Sequence, residues 1–167
     1  MIKIIHFFLL GSISLTIYSC YNDQEINKTF VEKYENENFE DFTCKGVSIR
    51  GGNNQQGVVV LVSNSYEKVG CRAPVGVILN RETGAFKSLN RDLLGDECEI
   101  DEKEMINLAL KFIEYKVAVL AVDSNKNVLI NISEAEAPNL IRFSDMKYKT
   151  QKFRRWKKIK GSWYERR

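Results

Sequence analysis

"DEKEMINLALKFIEYKVAVLAVDSNKNVLINIS", residues 101–133, decides the fold class because its hydrophobic period changes midway. Met105, Ile106, Ala109, Leu110, Phe112 and Ile113 recur at helical spacing and give one apolar face. Asp101 is a good N-cap, and Glu104 three residues on completes a capping-box-like pair, with Ile100 and Met105 placed as a hydrophobic staple. Acids crowd the start, while Lys111 and Lys116 sit near the end, as the helix dipole favours. A helix is expected over about 102–115. After it, "VAVLAV" (117–122), "DSNKN" (123–127) and "VLINIS" (128–133) read as a β-hairpin, its first arm apolar on both sides and its second alternating.

The flanks on either side are strand-rich. Towards the N-terminus, "CKGVSIR" (44–50) alternates, "GGNNQQG" (51–57) is a polar turn, and "VVVLVS" (58–63) is a short β-branched run suited to a buried strand. "VGVILN" (75–80) and "AFKSLN" (85–90), joined by "RETG", read as a hairpin with Gly84 at the left-handed turn position. Towards the C-terminus, "LIRF" (140–143) is a candidate strand and Ser144-Asp145 a candidate cap of a helical turn. "RRWKKIKGSWYERR" (154–167) places Lys160-Gly161 between two short strands. The expectation is a single α+β domain over residues 42–167: mostly antiparallel sheet with one main packing helix.

The N-terminal 20 residues differ in kind. Lys3 precedes an apolar stretch from Ile4 to about Ile17, the layout of a secretory signal peptide, and too short for a membrane-spanning helix. Ile17-Tyr18-Ser19-Cys20 resembles the lipobox of bacterial lipoproteins: a branched aliphatic, a variable position, a small residue, then cysteine. That resemblance implies cleavage of residues 1–19, diacylation of the Cys20 thiol, and a membrane anchor in the cell envelope. The outer membrane is the expected site, with the domain facing periplasm or cell surface. Two or more acyl chains hold a protein on a bilayer where one holds it only marginally. Residues 20–41 would then be a lipidated N-terminus followed by a tether or a short amphipathic helix, with Ile26, Phe30, Val31 and Tyr34 at spacings near four.

Cleavage leaves 148 residues, enough for one domain with a core, and removes His6, the only histidine. Ser-His-Asp and Cys-His catalysis and histidine metal sites are thereby excluded. Three cysteines remain, Cys44, Cys71 and Cys98, in a disulfide-permissive compartment. Three pairings are possible. Cys71–Cys98 is favoured because these residues flank the 75–90 hairpin, and such a bridge would stabilise the fold by roughly 3–4 kcal/mol.

Charge is segregated: residues 20–43 hold seven acids and two bases, and residues 142–167 hold eleven bases and two acids. The basic end interleaves cations with aromatics. An exported protein meets acidic proteins or anionic surfaces rather than nucleic acid, so Arg154, Arg155, Trp156, Lys157, Lys158 and Trp163 form a candidate partner-binding set. Two other constellations are weaker. Asp123, Asn125, Asn127, Asn131 and Glu134 fall at calcium-loop spacings, but Val128 stands where the loop needs glycine and both flanks read as strands, so a metal-free hairpin turn is expected. The carboxylates Asp96, Glu97, Glu99, Asp101, Glu102 and Glu104 could serve glycan hydrolysis, although a helix start accounts for most of them.

No cofactor is expected. The favoured reading is a membrane-anchored, non-enzymatic module that binds an envelope protein as inhibitor, immunity or assembly factor. A carboxylate-dependent enzyme acting on glycans and a calcium- or ligand-binding accessory protein are the alternatives. Labelled palmitate should enter the wild-type protein, and Cys20→Ser should lose both label and membrane fractionation; equal labelling of the variant would refute the anchor.

Overall fold

The computed structural model describes residues 23–50, 57–64, 73–92, 94, 98–134, 136–148 and 155–166. Its centre is a nine-stranded sheet in the order β4-β3-β2-β1-β5-β6-β7-β9-β8, antiparallel at every junction. β1 (Gly46–Arg50), β2 (Val58–Ser63), β3 (Val75–Leu79) and β4 (Phe86–Asn90) run outward as a meander. β5 (Val119–Val122), β6 (Val128–Asn131), β7 (Leu140–Arg142), β8 (Trp156–Lys160) and β9 (Trp163–Arg166) extend from the other side of β1. The β3–β4 hairpin turns on Asn80, whose carboxamide oxygen accepts from the amides of Glu82 and Thr83, and on Gly84 at φ +69°.

Helix α2 (Glu102–Glu114) carries the chain from the edge strand β4 back to the middle of the sheet and packs on β1, β2 and β3. It starts where the side chain of Asp101 accepts from the Glu104 amide, at 3.1 Å. Met105, Leu108, Ala109 and Phe112 are buried. This burial, rather than helix propensity, holds the element in place.

A second helix, α1 (residues 23–34), covers the same face. Of the two readings of this stretch, tether or short amphipathic helix, it is the helix: Phe30 and Val31 are buried in the core shared with α2 and the strands. The expectation of one main packing helix is corrected to two, and the domain extends back to at least residue 23. The physical reason is the four-residue spacing of Phe30 and Tyr34, which puts both rings on the side facing the sheet. A short 3-10 turn, Glu40–Phe42, follows, and Thr43 bridges to Val122.

The helix-covered face carries Val47, Val60, Val62, Val77, Leu120, Ile130 and Trp163 into the main core. Strand alternation sends Ile141 and Tyr164 to the opposite face, where with Phe143 they form a smaller cluster bordered by Leu129 and Trp156. No helix among the described residues is long and apolar enough to cross a membrane. Phe30→Ala should lower unfolding free energy by about 3–4 kcal/mol in a single denaturant transition, as a core truncation does; an unchanged midpoint would mean that α1 stands apart from the domain.

Candidate functional site

β8 is the last strand of the sheet and pairs with β9. The turn between them uses Gly161 at φ +52°, where a Cβ would lie 3.3 Å from Oε1 of Glu35. Along this hairpin the expected partner-binding residues divide. Arg155 and Lys158 are exposed; Arg154 lies outside the described residues. Lys157 lies 3.6 Å from the buried carboxylate of Glu165, and Lys160 lies 2.6 Å from Glu35. Hydrogen bonding and charge from Glu35 push the Lys160 ammonium pKa up.

The two tryptophans also part company. Trp156 is half-buried against the smaller cluster. Trp163 is fully buried, edge-on to Phe30 and Phe39 at centroid separations of 6.1 and 6.4 Å. Its register on β9 turns it towards the helices, so it is a core residue and cannot anchor a partner at the surface; of the two, Trp156 alone keeps an exposed part.

Beside this hairpin lies a cleft of about 380 Å³, bounded by the segment after α1, the β5–β6 turn and β7. Arg142 of β7 is its central cation. Its Nη1 donates to the Glu37 carbonyl at 2.8 Å, and its guanidinium carbon sits 4.9 Å from the Phe39 ring and 5.5 Å from the Trp163 ring. Among the described residues Arg142 makes no ion pair. Burial pushes its pKa down, with the Glu37 charge acting the other way; a guanidinium nonetheless stays protonated. The carboxylate of Glu37 is itself engaged, accepting at 2.9 Å from the Tyr115 hydroxyl.

The other charges on the cleft wall are matched. Lys126, at φ 62° in the β5–β6 turn, lies 2.9 Å from Glu40. That hydrogen bond, then one from Asn38, holds the Glu40 carboxyl below the usual range. Asn36, Ser144 and Ser162 add neutral polar groups, and Phe39 and Phe143 add apolar surface.

The 123–134 segment builds one side of this cleft. Residues 123–127 are the β5–β6 turn, expected from the strand-like flanks and from Val128 in place of a loop glycine. One carboxylate oxygen of Asp123 accepts from the amides of Asn125 and Asn127, each at 2.9 Å, and the other from the Asn127 side chain. The Asn127 carboxamide oxygen accepts in turn from the Ser144 amide. Glu134 lies beyond β6, its amide donating to Asn131. The side-chain oxygens of Asp123 and Asn127 thus close the turn and fix Ser144. No group of three metal-ligating side chains gathers among the described residues.

Of the acidic stretch before α2, Glu99 is exposed and three other carboxylates are committed. Asp101 caps the helix, Glu102 pairs with Arg91, and Glu104 lies 3.3 Å from the buried Lys45; Asp96 and Glu97 lie outside the described residues. Cys44 is free and Cys98 is disulfide-bonded. Cys71 lies outside the described residues, and its pairing with Cys98 remains a proposal.

Sequence reasoning passed over Arg142, the residue that organises the cleft. The signal available was one arginine inside the apolar run "LIRF". No family model, curated protein or solved structure matches the chain.

Burial, then the bond to Glu37, pushes the Tyr115 hydroxyl well above the ordinary tyrosine range. The folded state therefore keeps a proton that the unfolded chain gives up near pH 10, and stability falls as pH rises past about 10. Urea unfolding from pH 8 to 11 should show this loss in wild type and a shallower one in Tyr115→Phe; parallel profiles would contradict the assignment.

Proposed function

We propose that the chain is a lipid-anchored envelope protein that works by binding another protein, with the basic β8–β9 hairpin as its docking surface. The observation that carries this reading is the placement of Arg155 and Lys158, exposed and without ion pairs among the described residues, on the terminal strand of the sheet beside the partly exposed Trp156. An edge strand offers one row of backbone groups, and lysines there discourage indiscriminate strand pairing. Cations next to an aromatic suit an acidic partner, which they steer into place.

The anchor belongs to the same reading. Cys20 precedes the first described residue of α1 by three positions, and three residues span at most about 11 Å. Acylation at Cys20 would hold the start of α1 close to the lipid headgroups.

Lys157 is a poor choice for a test, since reversing its charge would strand the buried Glu165. Arg155→Glu with Lys158→Glu leaves the Lys157–Glu165 and Lys160–Glu35 pairs in place. The full-length protein in detergent should capture an envelope protein, and the double variant should associate with it about tenfold more slowly at low salt, with little change in dissociation. Equal association rates at every salt concentration would contradict the docking surface.

A further inference from the structure

We infer that the Arg142 cleft receives a side-chain or terminal carboxylate from an acidic polypeptide segment of the docked partner, an assignment that rests on reading the β8–β9 hairpin as the docking surface. Position is the first argument. Ser162, in the hairpin turn, lines the cleft, and Glu35, held by Lys160, lines it from the opposite chain segment. A segment laid along the hairpin is led to the cleft by the turn itself.

Chemistry is the second. A guanidinium has five N–H donors in a fixed fork that matches a carboxylate. Arg142 spends one on the Glu37 carbonyl, while the Phe39 and Trp163 rings pack against the group. Its orientation is thus set before any ligand arrives, which lowers the entropic penalty of binding.

Charge matching is the third. Glu35 and Glu40 are paired with Lys160 and Lys126, and Arg142 is the cation of the cleft wall that makes no ion pair among the described residues, although the Glu37 charge acts on it. One guanidinium without an ion pair suits a monoanion such as a carboxylate better than a phosphate dianion. A volume of about 380 Å³ accommodates one or two side chains, near the lower end of ligand-site sizes.

The test uses full-length protein in detergent and a blocked, fluorescein-labelled hexa-aspartate peptide, read by anisotropy, with inorganic phosphate as competitor. Asn36→Trp fills the cleft from an exposed position, and Arg142→Lys keeps the charge while removing the fork. Saturable binding to wild type that weakens at least about tenfold in each variant is expected. Should Arg142→Lys fail to fold, Asn36→Trp decides alone, checked by an unchanged melting temperature. Binding retained in the cleft variants but lost in Arg155→Glu with Lys158→Glu overturns the cleft assignment and leaves the docking reading standing. No saturable binding to wild type overturns the cleft assignment as well. Displacement by phosphate at concentrations comparable to the peptide reassigns the site to a small free anion and overturns it equally.

Discussion

The structure turns on one arginine packed against two aromatic rings. Arg142 enters from β7, and its guanidinium packs beside Phe39, from the segment after α1, and Trp163, from β9, while it donates to the carbonyl of Glu37. Three parts of the chain far apart in sequence are tied at this point. A guanidinium tolerates such a place because it is weakly hydrated and meets ring faces favourably, an attraction of about 0.5–2 kcal/mol that grows as water is excluded. Replacing it by an apolar residue would leave the Glu37 carbonyl without this donor; replacing it by lysine would keep charge and lose the planar contact.

Around this point an aromatic pile joins the two helices to the sheet. Tyr34 and Phe39 both meet Tyr115, at centroid separations of 5.3 and 5.2 Å, and Phe30 meets Trp163. Tyr115 follows the last turn of α2, so the pile locks α1 against α2 as well as against β9. The hairpin proposed to meet a partner and the cleft proposed to take its carboxylate both border this pile, through Trp163 of β9 and Phe39 of the cleft wall.

Much of the fold was legible because local signals agreed with the tertiary result. Asp101 and Glu104 marked the start of α2, the β-branched run 58–63 coincides with β2, and Gly84 and Gly161 both adopt positive φ in the turns assigned to them. What failed was the reading of polar surroundings as solvent. The acid-rich stretch 20–41 left tether and short helix both open; the helix formed, with Phe30, Val31 and Phe39 in the core, because a few large rings at the right spacing suffice to dock it. Trp163 sits among cations in sequence, but strand alternation separates neighbours onto opposite faces, and the indole went inward while Tyr164 joined the smaller cluster. The Arg142 cleft was invisible for a related reason. Its members come from residues 35–43, 122–128, 142–144 and 162, and no local pattern announces a site assembled by long-range pairing.

The central claim is that α1, the segment through Phe42 and the β8–β9 hairpin form one cooperative unit around Arg142. Native-state hydrogen exchange on the intact protein tests it most directly. The account predicts that amides in the second half of α1, near Phe30 to Tyr34, and those of β9 open with the same free energy, equal to that of global unfolding. Exchange of the α1 amides through a much cheaper local opening, with β9 still fully protected, would contradict it.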